Sequence, residues 1–457
     1  MKTKRLFLSL ALAAVLMLCV VFASACTSVP AGGQNQNGQE QTQEGQPDGK
    51  TPDDKQPDDK TPDDKSPVGA FMAKNLMEGV VASEVTGSAL DEAFKAAVAN
   101  FSVELFKESF SVKENSLISP TSVLLALAMA ANGADGATLS QMEAMLGGGL
   151  NIAELNAYLY SYIGALPSEE KSKLEIANSV WIKDGAIDVK PAFLQTNANY
   201  YGAAAYRAAF DESTVADINA WCSENTDGLI DSILDKIPPE AVLYLINAVL
   251  FDAEWQKIYN EKKIFDGVFN AANGKKQTVP FMLSEENRYL EGDGAVGFIK
   301  PYAGNRYSFA AVLPDEGVKV EDYVASLSGE KFRQLLQGVQ NTQVYAEMPK
   351  FEYGYEIGLN GALQSLGMND AFIPGLADFT SLGSAGGDLY ISSVKHKTFI
   401  TVDERGTKAG AVTSVEFGVT SGGPSNYKYV TLDRPFVYAI IDNATLLPVF
   451  LGAVLEI

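Results

Sequence analysis

Residues 407–416, Thr407-Lys-Ala-Gly-Ala-Val-Thr-Ser-Val-Glu, are mostly small or β-branched and contain no proline. That composition suits burial in extended form better than life in a solvated loop. Left exposed, such a segment is a template for pairing with other chains. Alternation puts Thr407, Ala409, Ala411, Thr413 and Val415 on one face, wholly small and uncharged, and Lys408, Gly410, Val412, Ser414 and Glu416 on the other. Taken alone the segment reads as an ordinary central strand. Its flanks argue instead for a strand with no obvious place in a sheet.

Upstream runs His396-Lys-Thr-Phe-Ile-Thr-Val-Asp-Glu-Arg-Gly-Thr, and downstream, past Gly422-Gly-Pro-Ser-Asn, comes Arg434-Pro-Phe-Val. This order resembles the serpin family: the first run is similar to the strand leading into the hinge of its reactive-centre loop, and the second to the strand after that loop. Further matches, in the family's order, are Asn115-Ser-Leu-Ile-Ser-Pro-Thr-Ser-Val-Leu-Leu-Ala-Leu-Ala-Met, Ile218-Asn-Ala-Trp, Leu245-Ile-Asn-Ala-Val-Leu-Phe with Trp255, Val279-Pro-Phe-Met, Pro349-Lys-Phe and Leu366-Gly-Met-Asn-Asp-Ala-Phe. No single short pattern would carry the assignment; the ordered set does.

The resemblance implies an α+β domain, with helices around a large mixed sheet, two smaller sheets and an exposed reactive-centre loop within 404–431. It assigns a hinge to Glu404, Gly406, Thr407, Ala409, Gly410, Ala411, Val412 and Thr413. Glycine is expected to permit the chain reversal at Gly406, and the small face to slide between strands without burying a charge. Ser119, Ser122, Asn247 and His396 would form the polar shutter cluster beneath the sheet, and Trp255 would stand at the breach where a loop enters.

The implied activity is suicide inhibition of a serine protease, extending to cysteine proteases. Counting from the hinge puts the reactive bond at Thr420-Ser421; counting back from Pro435 lands near Pro424. Neither Val419 nor Thr420 is basic or aromatic, which points to elastase-like or subtilisin-like targets with a small apolar pocket. Two rivals are a non-inhibitory serpin acting as a binding protein, and a solute-binding lipoprotein. The first usually carries bulky or charged hinge residues, and the second should alternate strand and helix.

The chain's start gives an address. Lys2, Lys4 and Arg5 precede an apolar run over 6–22, then Ala23-Ser-Ala leads to Cys26, which reads as an export signal over 1–26. A small-residue stop before cysteine resembles a bacterial lipoprotein site, so we expect lipid on Cys26. Ala23 departs from the usual leucine there, leaving an uncleaved membrane-spanning anchor as the alternative. Either places the rest outside the cytoplasm, held to a bacterial membrane. Residues 27–67, with three near-copies of Pro-Asp-Asp-Lys and no aromatic residue, read as a disordered tether. Its ends would lie roughly 35 Å apart. The domain is then 68–457.

Removing the leader's three positive charges and the tether's net −5 from the total of −22 leaves the domain at −20. So acidic a domain is unsuited to nucleic acid, and it favours soluble, monomeric behaviour. Of three cysteines only Cys222 remains in the domain, which excludes an internal disulfide. It stands in a helical setting with no basic neighbour in sequence, as a small buried hydrophobe does.

Burial dominates the rest. Ser119-Pro suits a helix start, and 123–129 is apolar all round, so Ser119 and Ser122 need hydrogen-bond partners. His396 is the single histidine. Any Ser-His-Asp or Cys-His arrangement would have to use it, and there is no Gly-x-Ser-x-Gly elbow, zinc spacing or phosphate cradle. We therefore expect no catalytic site, metal or cofactor.

Overall fold

The computed structural model describes residues 71–166, 169–385, 388–407 and 427–457. The leader with Cys26, the tether, the hinge residues Ala409, Gly410, Ala411, Val412 and Thr413, and the bond Thr420-Ser421 lie outside the described residues. Among those described, no helix is long and apolar enough to cross a membrane. Nor does any group of three or more His, Cys, Asp or Glu there suit a metal ion.

The helices are α1 (Glu92–Ser109), α2 (Pro120–Ala131), α3 (Gly136–Gly147), α4 (Ile152–Ala165), α5 (Pro191–Tyr201), α6 (Glu212–Glu224), α7 (Val320–Ser326), α8 (Gly329–Gln337) and α9 (Asn360–Ser365). Local chemistry sets their ends. Asn151 and Glu154 close a capping box on α4, Pro120 fills the first position of α2, and Gly148 ends α3 in the left-handed conformation at φ 62°.

The largest sheet is mixed and runs β1 (Lys74–Asn75), β5 (Ala204–Ala208), β3 (Ser172–Lys183), β6 (Leu243–Glu254), β16 (Gly406–Thr407), β15 (Ser393–Val402) and β13 (Phe351–Gly358). A second runs β2 (Ser116–Ile118), β19 (Pro448–Val454), β18 (Phe436–Asp442), β11 (Tyr307–Pro314), β10 (Ala295–Pro301) and β9 (Tyr289–Gly292). A third runs β17 (Lys428–Thr431), β12 (Val344–Pro349), β8 (Lys276–Glu286) and β7 (Ile264–Asn270). Beyond the three sheets expected, β14 (Gly383–Ala385) pairs with β4 (Ile187–Val189).

Every residue of α2 is buried, because the helix lies between the large sheet, at β3 and β6, and the second sheet, at β19. The other face of the large sheet carries a separate apolar cluster, in which Ile218, Trp221 and Cys222 of α6 meet Trp181, Tyr206 and Tyr244. Covered on both sides, β6 reads as a near-continuous apolar run rather than an alternation.

Candidate functional site at the parting of the large sheet

β6 and β15 form a fork. At one end they pair in parallel, Ser393 with Tyr244 through His396 with Asn247. At the other they stand apart with β16 between them: Gly406 pairs with Glu254, and Thr407 with both Ala253 and Val402. Over 248–252 of β6 and 397–401 of β15, no register pair joins the two strands among the described residues. The fork is therefore closed at its base and wedged at its mouth.

A tight turn places the wedge. The Asp403 carboxylate accepts from the N–H groups of Arg405 and Gly406 at 2.8 and 3.1 Å, and the Asp403 N–H donates to the Gly406 carbonyl at 3.0 Å. Gly406 is needed for a reason other than chain reversal. It lacks a left-handed backbone, and a Cβ there would stand 2.0 Å from the Ala253 carbonyl oxygen; only glycine allows β16 so close to β6. Thr407, assigned to the hinge, is 2% exposed. Its Oγ1 lies 2.5 Å from the Tyr302 hydroxyl, because the strand pairing carries it inside the sheet.

Trp255 builds the mouth. Its indole N–H donates to the Asp403 carbonyl at 2.8 Å and its backbone N–H to the Arg405 carbonyl at 2.7 Å. The Tyr259 N–H donates to the Glu404 carbonyl at 2.9 Å, and the Glu404 carboxylate pairs with Lys350. Trp255 stacks on Tyr302 with centroids 4.5 Å apart. Beneath them the buried Lys300 ammonium meets Glu286 at 2.8 Å and stands 4.2 Å from the Tyr259 ring centroid. Sequence reasoning missed Tyr302, Tyr259, Lys300, Glu286 and Lys350. One signal was available: Lys300 is a single charge after the apolar run 296–299, and a buried lysine demands a partner.

The closed end holds the polar cluster. Ser119, the N-cap of α2, donates its backbone N–H to His396 Nε2 at 3.0 Å and its hydroxyl to the Val449 carbonyl at 2.9 Å. The hydroxyl thus needs neither His396 nor Asn247. Asn247 Nδ2 donates to the Ser122 carbonyl at 3.0 Å, to the Ser122 hydroxyl and to Asn178 Oδ1. Asn178, unnoticed in the sequence, faces Asn247 across β3 and β6. Since His396 Nε2 accepts, its proton sits on Nδ1.

Burial pushes the His396 imidazole down to about 4, against about 6.5 in an unfolded chain. Between those values the unfolded chain binds the extra proton, so the contribution is complete above about 6.5 and is lost as the pH falls toward 4, by up to about 3 kcal/mol. His396→Gln, which keeps an acceptor but does not titrate, should therefore lose less stability than the parent between pH 7.5 and 4.5. Denaturant midpoints at the two pH values measure this; equal losses would show that His396 does not carry it.

Cys222 is buried, which pushes its thiol up to about 12, while Lys397 pulls the other way. The basic neighbour missing in sequence thus arrives in space.

Residues 96–457 match the family model for serpin (serine protease inhibitor). The chain is a serpin. An uncharacterized serpin-like protein of Thermococcus kodakarensis is 31% identical over 370 residues, covering 79% of this chain and 85% of the relative. The crystal structure of the thermophilic serpin tengpin in its native state superposes with a TM-score of 0.82 at 54% identity, covering 84% of this serpin and all of tengpin. Tengpin in its latent state gives 0.73 at 54% identity, with 81% of this serpin and all of tengpin covered. The large mixed sheet, the smaller sheets and the packed helices are thus the serpin fold, in an arrangement nearer the native than the latent relative.

Proposed function

We propose that this serpin is a suicide-substrate inhibitor of a serine protease outside the cytoplasm, tethered to a bacterial membrane by lipid on Cys26. The protease nucleophile attacks the Thr420 carbonyl carbon, the Ser421 amine leaves, and the acyl-enzyme is carried off as the segment after Thr407 enters the fork. In this reading Glu404, Gly406, Thr407, Ala409, Gly410, Ala411, Val412 and Thr413 are the hinge. Ser119, Ser122, Asn247 and His396 are the shutter that must part, and Trp255 marks the breach. The small residues near the bond favour elastase-like or subtilisin-like targets, with cysteine proteases as a secondary class.

One observation carries the proposal: Gly406 and Thr407 already pair between β6 and β15, so the entering strand has its first residues in register. On insertion, the small, uncharged face of Ala409, Ala411 and Thr413 would extend that register without burying a charge.

Incubating residues 68–457 with elastase-like and subtilisin-like proteases should give a complex that survives denaturant, and mass spectrometry should show a released C-terminal peptide beginning at Ser421. If every such protease cuts the loop and departs active, the non-inhibitory serpin replaces this reading.

A further inference from the structure

The chain enters the large sheet at the end away from the mouth of the fork. Lys74 of β1 pairs with Arg207, Arg207 with Ile182, and Ile182 with Leu243, so Lys74 stands level with the start of β6, beside the closed pairs. The entry is fixed there. The Ala73 N–H donates to the Asp217 carboxylate at 2.6 Å, and the Phe71 ring meets that of Tyr206 edge to face with centroids 5.8 Å apart. Whatever precedes Phe71, residues 27–67 included, is therefore joined to this pole of the domain. Ala253, where Thr407 is seated, lies roughly 33 Å away along the strand.

The same register says where a trapped protease ends. Thr407 opposes Ala253 in antiparallel pairing, so each further residue that enters moves one position back along β6. Carried on to Thr420, this register reaches the level of residue 240, just past Leu243 and Lys74. Across the sheet, β6, β3 and β5 stand between the entering strand and β1, a separation of about 19 Å. The acyl bond thus arrives about 20 Å from the point where the chain enters the domain. A protease of about 250 residues is roughly 45 Å across, so its body overhangs that point.

We propose that residues 27–67 are a clearance spacer: on a membrane the trapped protease must fit between the domain and the lipid, and the length of this segment decides whether trapping can be completed. This rests on the inhibitory, lipid-anchored reading above. A coil of this length spans roughly 35 Å and reaches about 140 Å at full extension, which admits the protease at modest stretch. Residues 67–70 alone reach only about 15 Å, which does not. Cutting needs no such clearance, because the loop departs from Thr407 at the mouth, the other pole of the sheet. A short tether therefore turns an anchored inhibitor into an anchored substrate without altering the domain.

The test couples residues 26–457 through Cys26 to a maleimide lipid in phosphatidylcholine vesicles, Cys222 being buried. It compares the parent with a variant lacking 27–66, each also assayed uncoupled with the same protease. In solution the two should trap with equal yield. On vesicles the parent should keep its yield, while the deletion falls at least about fivefold and its loop is still cut. Gly-Ser repeats of equal length in place of 27–66 should restore trapping. In the trapped complex an amine-reactive cross-linker should join the protease to Lys74. Equal trapping by the deletion on vesicles overturns the spacer, and so does failure of the Gly-Ser variant there or an absent Lys74 cross-link. Loss of trapping by the deletion in solution would give the segment a role within the domain and also overturns it. A parent that is cut but never traps in solution fails the inhibitory reading itself, and Cys26 without lipid in the chain isolated from cells removes the anchor; either takes away the need for a spacer.

Discussion

A single cut within residues 417–425 should raise the thermal midpoint of residues 68–457 by roughly 10 °C or more. Nicking an ordinary domain lowers it. Here five positions on each arm of the fork, 248–252 and 397–401, lie between the closed pairs and the wedge. A strand entering there makes up to about ten backbone hydrogen bonds at a net ~1 kcal/mol each. Unfolding entropy of about 2.1 cal/mol/K per residue gives a domain of this length about 0.8 kcal/mol per degree, so ~10 kcal/mol moves the midpoint by about 12 °C before apolar burial is added. Calorimetry at one scan rate, before and after cleavage by a protease that is not trapped, measures it; the fixed rate matters because a large domain unfolds irreversibly. An unchanged or lower midpoint would remove insertion from the mechanism and leave the serpin fold standing.

Thr407→Arg should turn the inhibitor into a substrate, with the yield of trapped complex falling more than about tenfold while the loop is cut as fast as before. Thr407 is almost fully buried and its hydroxyl lies against that of Tyr302. A guanidinium forced into that buried site costs several kcal/mol unless a partner neutralises it. The strand then enters late, and water releases the protease first. Thr407→Ser, which keeps the hydroxyl, should trap normally. Ala411→Arg makes the same demand further along the inserting face. Trapping by Thr407→Arg at the parent's yield would mean that seating this residue is not part of the reaction.

What the sequence disclosed and what it hid divide along physical lines. Local pattern sufficed for α2, where Ser119-Pro120 opens an apolar run, and for β6, whose apolar stretch reports two covered faces. Ordered motifs carried the family, and of the small face expected to be buried Thr407, the residue of it that is described, is buried. Contacts between distant segments were illegible. The need for glycine at 406 comes from the Ala253 carbonyl, about 150 residues earlier, and not from backbone conformation. Lys300 and Glu286 explain each other only once β10 and β8 are folded. Asn178 is one polar residue in a strand until β3 lies beside β6. The Ser119 hydroxyl looked like a partner for His396, but an N-cap also offers a backbone N–H, and the fold uses that donor instead.

The fork between β6 and β15 can also be viewed as an arrested crack. A crack advances at its tip, where the last intact bonds bear the load, and the tip here is the pair His396 with Asn247. Only three pairs lie behind it, ending at Ser393 with Tyr244, so resistance to opening is concentrated at the tip and not shared along the seam. Geometry fixes the sequence of failure: the histidine pair parts first, then Lys395 with Ile246, Val394 with Leu245 and Ser393 with Tyr244. The toughness of this seam is therefore set by two side chains and the helix N-terminus that grips them, and a substitution there should change how readily the sheet splits far more than one of equal size elsewhere along either strand.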